Sequence, residues 1–125
     1  MKRIIMIGLL IGAVLLAGCS SNKVNYNEFA KCLAANDVVF YGAFWCPHCA
    51  RVKKAFGKDA WQYVNYVECD PRGENGQPEL CQSKGIDGYM TAIHNDSKNK
   101  DEWLVGEPSM YELSKMSGCE LPAGG

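Results

Sequence analysis

The chain has 125 residues, with 13 lysines and arginines against 14 aspartates and glutamates, a formal charge of −1 at pH 7. That is the length of one small domain, and a nearly balanced charge with no basic run and no basic–aromatic interleaving argues against a nucleic-acid partner. Seven cysteines in so short a chain point to an oxidising compartment outside the cytoplasm, where disulfides persist.

Lys2 and Arg3 open the chain, and the apolar stretch from Ile4 to Leu16 is too short for a comfortable membrane span. Small residues follow in Leu16-Ala17-Gly18-Cys19-Ser20. This segment resembles the signal peptide and lipobox of bacterial lipoproteins, which implies cleavage before Cys19 and attachment of lipid to it. The expected organisation is a signal peptide over 1–18, a lipidated tether over 19–25, a folded domain over 26–120 and a flexible tail over 121–125. Of the 125 residues, loss of 18 leaves 107, and loss of Lys2 and Arg3 leaves 11 basic side chains against 14 acidic ones, about −3 by formal counting. With Cys19 carrying lipid, six cysteines remain, enough for three pairs. The expected location is the cell envelope, anchored to a membrane and facing the periplasm or the exterior. Ser20 in place of an aspartate favours the outer membrane in a Gram-negative host.

In chain order, residues 26–36 carry apolar side chains at 26, 29, 30 and 33, one face of a helix. Residues 38–43, Val-Val-Phe-Tyr-Gly-Ala, read as a buried strand, and residues 50–57 read as a helix closed by Gly57. A second strand is expected over 64–69 and a loop over 70–77, where Pro71, Gly73, Asn75 and Gly76 cluster. Pro78 to Lys84 reads as a short helix with proline in its first turn and Gly85 past its end. Residues 91–94 and 102–105 are expected to form a hairpin across the polar turn 95–100. Ser109 can cap a last helix carrying Met110, Leu113 and Met116. The order helix, βαβ, helix, ββ hairpin, helix is an α/β thioredoxin-like arrangement.

Between the first strand and its helix lies Phe44-Trp45-Cys46-Pro47-His48-Cys49. Cys46 falls where a strand hands over to a helix N-terminus, whose unpaired amides and dipole favour a thiolate. It is expected to be the exposed attacking sulfur. Cys49, one turn further on, is expected to be the buried partner, and Pro47 suits the first helical position. The His48 imidazole is expected beside the Cys46 sulfur, where its protonated form makes that thiolate a better leaving group and the disulfide a stronger oxidant. A zinc site needs four ligands, and no second close-spaced pair exists, since Cys69 and Cys81 stand too far apart. No metal ion and no cofactor are expected.

The resemblance extends beyond this motif. Residues 41–49, Phe56-Gly57-Lys58, Tyr66-Val67-Glu68-Cys69-Asp70, Leu80-Cys81 and Gly85-Ile86-Asp87-Gly88-Tyr89 are similar to the thioredoxin-like domain associated with bacterial and plant homologues of vitamin K epoxide reductase. The resemblance implies oxidative folding, in which the domain takes a disulfide from a quinone-coupled membrane oxidase and passes it to cysteine-containing exported proteins. It also implies that Trp45, Tyr89, Met90 and Thr91 border the substrate. Thioredoxin-like reductases carry a buried carboxylate six residues before the nucleophile. Phe40 stands there, which favours the oxidase direction.

After Gly88-Tyr89 the family carries a cis proline where this chain has Met90. A cis bond before a non-proline residue costs about 2.5–4 kcal/mol, so a trans Tyr89–Met90 bond is expected. Once Cys46 and Cys49 are paired, the other four cysteines allow three pairings. Cys69–Cys81 and Cys32–Cys119 are expected, the first pinning the glycine-rich loop and the second tying the N-terminal helix to the tail. In the chain-entropy view they contribute roughly 3 and 4.6 kcal/mol. Two other functions stay open. One is an envelope disulfide reductase, for example in cytochrome maturation. The other is a Cu(I)-binding lipoprotein using two thiolates, an imidazole and the Met90 thioether, soft ligands that suit that ion.

Overall fold

The computed structural model describes residues 23–125, so the signal segment, the lipobox and Cys19 lie outside the described residues. A helix α1 (Asn27–Ala35) buries Phe29, Ala30 and Leu33, the apolar stripe that the sequence spacing requires. It leads into β1 (Val38–Gly42), α2 (Pro47–Phe56), α3 (Lys58–Trp61) and β2 (Asn65–Glu68). Then follow α4 (Pro78–Lys84), β3 (Thr91–His94), β4 (Leu104–Val105) and α5 (Met110–Ser117).

The four strands form one mixed sheet in the order β2-β1-β3-β4. β1 pairs in parallel with β2 through the α2 crossover, and antiparallel with β3, which pairs antiparallel with β4. The chain has a thioredoxin-like fold. As a central strand, β1 is covered on both faces, which is why it reads as a nearly continuous apolar run. Val38 and Phe40 join the main core with α1, α2, α3 and α5, whereas Tyr41 faces Ile93, Cys69 and Cys81 on the α4 side. The two cores are stapled by Cys32–Cys119 (S–S 2.10 Å) and Cys69–Cys81 (S–S 2.05 Å).

Two elements differ from the sequence expectation. β4 is shorter than 102–105, because Lys100–Glu102 is a 3₁₀ turn. Its polar side chains satisfy one another locally: Asn99 Oδ1 accepts from Asp101 N–H at 3.1 Å and Asn99 Nδ2 donates to Glu102 at 3.2 Å, which competes with a ladder. α3 is the other departure, a single turn too short to show a period. Gly57, at φ +88°, breaks the chain between α2 and α3. Trp61 then packs edge-on against Phe40 and Phe56, at 5.9 and 5.7 Å between ring centroids. The end of the chain is also anchored in part, since Leu121 packs against the main core.

Candidate active site

The β1–α2 turn places Cys46 as the N-cap of α2, in extended conformation (φ −76°, ψ 123°), with Pro47 at the first helical position. No side chain caps this helix, so the orphan amides of its first turn are left to polarise whatever lies at Cys46. Cys46 and Cys49 are both free thiols. Cys46 is less exposed than its expected role suggests: 5% of its surface is accessible against 1% for Cys49. The cause is the segment before β3, whose Tyr89 carbonyl oxygen accepts from Cys46 Sγ at 3.7 Å.

The expectation of a trans bond at Met90 is overturned, because the Tyr89–Met90 peptide is cis. Both backbone polar groups of Met90 are matched by Gly106, its N–H donating at 3.2 Å and its carbonyl accepting at 2.8 Å. The Met90 side chain is wholly buried in the main core. Thr91 is buried beside it, with Oγ1 donating to the Gly88 carbonyl at 2.7 Å.

An aromatic rim surrounds Cys46. Phe44 and Trp45 are 54% and 52% exposed, well beyond the usual for such side chains. Trp45 meets Tyr89 edge-on at 6.0 Å and donates its indole N–H to Asp70 Oδ2 at 2.7 Å. Arg72 clasps the same carboxylate through Nε at 3.0 Å and Nη2 at 2.7 Å. Those bonds, first from Arg72 and then from Trp45, hold the Asp70 carboxyl well below the usual carboxylate range. Asp70 thus fixes the indole over the site, and the Arg72 guanidinium lies 5.9 Å from the Phe44 ring centroid.

His48 is held by a partner that the sequence did not reveal. Its Nδ1 lies 2.7 Å from Glu107 Oε1, and Arg51 donates to the same carboxylate oxygen. The Arg51 and His48 contacts, in that order, lower the Glu107 pKa. The imidazole is therefore tied to the segment after β4 by a carboxylate. Arg51 is close enough for charge on Cys46 to act on it.

The interior side is different. Burial pushes the Cys49 thiol up to about 11, while a backbone hydrogen bond at Ala43 and the Lys53 charge pull the other way. Gly42 makes room for this sulfur: a Cβ there would lie 2.7 Å from Cys49 Sγ and 3.0 Å from the Tyr66 ring. Phe40 sits in an aromatic nest with Phe56 and Trp61, so the position six residues before Cys46 is apolar. Glu68, however, brings a buried carboxylate (6% exposed) from the neighbouring strand, which removes one support for the oxidase direction.

Five residues of this neighbourhood were missed by sequence reasoning: Arg51, Tyr66, Glu68, Asp70 and Glu107. Arg51 was within reach of it, three residues after His48 on one helix face. Tyr66 and Glu68 share a face of β2 by strand alternation, but only the sheet register brings that face to Cys49. Glu107 lies 59 positions from His48, and no local signal connects them.

No family model matches the chain. Over 105 aligned residues, covering 82% of this chain, it is 39% identical to the thiol-disulfide oxidoreductase LTO1 of Arabidopsis thaliana. Over that region the chain is similar to a thiol–disulfide oxidoreductase. The match covers 27% of the plant protein's length, so the chain corresponds to about a quarter of that relative.

Proposed function

We propose that the protein oxidises the thiols of exported proteins in the cell envelope, with Cys46–Cys49 as its exchangeable disulfide. The observation that carries this reading is the contrast at the α2 N-terminus. One sulfur caps an open helix end under an exposed aromatic rim, and its partner is buried three residues on. In the oxidised form, a substrate thiolate attacks Cys46 Sγ. The Cys46–Cys49 bond breaks and its electron pair goes to Cys49. A second substrate thiolate then attacks the substrate sulfur of the mixed disulfide, and Cys46 leaves as a thiolate stabilised by the helix end. The substrate gains a disulfide, and the protein ends as a dithiol.

Phe44, Trp45 and Tyr89 supply an apolar, sequence-tolerant surface for an unfolded chain, and the Tyr89 carbonyl beside Cys46 can accept a backbone N–H from it. A quinone-coupled membrane oxidase is the proposed source of the disulfide. Lipid on Cys19 would keep the domain at the membrane, near that oxidase.

Equilibration of the Cys46–Cys49 pair against glutathione buffers tests the direction. A potential of about −120 to −180 mV, the range of the strong protein oxidants, supports the oxidase; about −270 mV, the thioredoxin range, replaces it with an envelope reductase. Intact mass of the membrane fraction tests the anchor, since a Cys19→Ala variant should lose both the lipid mass and the membrane association.

A further inference from the structure

Among the described residues, Tyr66 Oη is the one buried side-chain oxygen or nitrogen with no hydrogen-bond partner. A buried hydroxyl left unpaired costs about 1–3 kcal/mol, and such groups call for an explanation. Its position offers one. The point that a Cβ of Gly42 would occupy lies 2.7 Å from Cys49 Sγ and 3.3 Å from Tyr66 Oη. The sulfur and the hydroxyl thus border the same glycine-sized gap, close enough for one water to bridge them.

On the other side of Tyr66, two residues along the same strand face, is Glu68. Its carboxylate is positioned: Oε2 accepts from Asp70 N–H at 3.2 Å, and a Cβ at Gly73 would lie 2.5 Å from Oε1. Tyr66 and Glu68 also line a cleft of about 880 Å³ with Phe44, Lys53, Gln62 and Glu74. The charged and titratable groups around the hydroxyl are Cys46, Cys49 and Lys53 from α2 and its cap, Glu68 from β2, and Glu74 from the following loop. Lys53 Nζ sits 4.5 Å from the Tyr66 ring centroid.

We propose that Tyr66 is the proton-transfer residue for Cys49, linking the buried sulfur through Glu68 to the solvent cleft. When the Cys46–Cys49 bond breaks, the electron pair arrives on a sulfur whose burial disfavours negative charge. The Tyr66 O–H gives its proton to that thiolate as the phenol oxygen takes one from cleft water, which the Glu68 carboxylate orients. The disulfide electrons stay on sulfur, and one proton moves from the cleft to Cys49. When the dithiol is reoxidised, the same path runs backwards and takes the Cys49 proton out. The proposal rests on thiol–disulfide exchange at Cys46–Cys49 and holds for either direction of net flow.

The test is the pH dependence of exchange with a reduced dithiol peptide, followed by stopped flow for the full protein and for Tyr66→Phe, Glu68→Gln and the double variant. Tyr66→Phe should slow the Cys49-dependent step about 100-fold near pH 7, the low end of what general acid–base groups contribute, and should shift the profile. Glu68→Gln should slow it less, and the double variant should be no slower than Tyr66→Phe, because the carboxylate acts through the phenol. A Tyr66→Phe protein with unchanged rate and profile but a raised Tm overturns the proposal and makes Tyr66 a packing residue. If Tyr66→Phe does not fold, Glu68→Gln decides: a slower Cys49-dependent step with a shifted pH profile supports the proposal, and an unchanged rate and profile overturn it. Failure of the unaltered protein to exchange at any pH would instead overturn the underlying activity.

Discussion

Cys46 and Cys49 lie one helical turn apart, yet they look out on two different media. On the Cys46 side are exposed charges and aromatic rings: Arg51 and His48 gathered by Glu107, and Trp45 held by Asp70. On the Cys49 side are a glycine, a tyrosine without a hydrogen-bond partner and a buried glutamate. The total exposure of the two cysteines differs by only a few per cent, so accessibility alone does not divide their work. What divides it is the cost of charge. The helix end and the surface polar groups can stabilise a thiolate on the outer sulfur, whereas burial opposes one on the inner sulfur.

The largest expected effect comes from removing one sulfur at a time. Cys46→Ser should lower the rate of disulfide exchange on the order of 10³-fold or more, the scale on which a nucleophile is lost. Cys49→Ser should instead accumulate a mixed disulfide between Cys46 and substrate, visible by mass spectrometry without reductant. Trapping on Cys49 in the Cys46→Ser protein would reverse the assignment of outer and inner sulfur.

Next in size is the titration of the inner thiol. Because burial is the largest cause of the raised Cys49 pKa, Cys49 in a reduced Cys46→Ser protein should still alkylate more slowly at pH 8 than an ordinary thiol, by about tenfold for each pKa unit that burial supplies. The rate should keep rising towards pH 11. The sign carries over to stability. A raised folded-state pKa contributes stability below pH 9 that is lost as pH climbs through about 11. Denaturant melts at pH 8 and 10.5 should show a larger loss for the reduced protein than for its Cys49→Ala control, in which Tyr41, Tyr66 and Tyr89 keep their raised pKa values. Equal losses would mean that the interior side is wetter than its burial implies.

Gly42→Ala probes the same side by volume. Its added Cβ would lie 2.7 Å from Cys49 Sγ and 3.0 Å from the Tyr66 ring, closer than packed atoms tolerate. We expect a loss of about 1–3 kcal/mol in unfolding experiments, the usual size of an overpacked core. No loss would show that the inner pocket can expand.

The smallest effect is expected on the outer side. Glu107→Gln frees Arg51 and His48 from a carboxylate and leaves more positive charge near Cys46, so its alkylation at pH 6–7 should quicken by about 2–5-fold, on the scale of exposed ion pairs. The gain should fade in high salt. Because the Glu107 pKa is lowered, its hold on Arg51 persists through weakly acidic pH and is lost only as pH falls below the ordinary carboxylate range. An unchanged alkylation rate would mean that these charges do not reach the outer sulfur.

Much of the scaffold could be read from the chain. α4 runs over Pro78–Lys84 with Gly85 in the left-handed conformation after it, as the proline and glycine at its two ends required. Ser109 forms a capping box with Glu112, a signal carried by two residues three apart. These elements were legible because their determinants are local. α3 and the 3₁₀ turn at Lys100–Glu102 were not, since one turn offers no period to detect. The Glu107 partner of His48 was not legible for a related reason: it lies on a distant segment of the chain.

By itself, the sequence determined the thioredoxin-like order of elements and the placement of Cys46 at a strand-to-helix turn, through apolar periodicity, end-capping residues and the spacing of the cysteine pair. Only the tertiary structure decided what each sulfur meets. The parallel pairing of β1 with β2 sets Phe40 opposite Tyr66 and Gly42 opposite Glu68, and so carries a phenol to the buried thiol and a carboxylate onto the same strand face. The return of the chain after β4 brings Glu107 to His48, and the segment before β3 lays the Tyr89 carbonyl beside Cys46. Charge and proton affinity at a sulfur depend on groups within a few ångströms in space, whatever their separation along the chain.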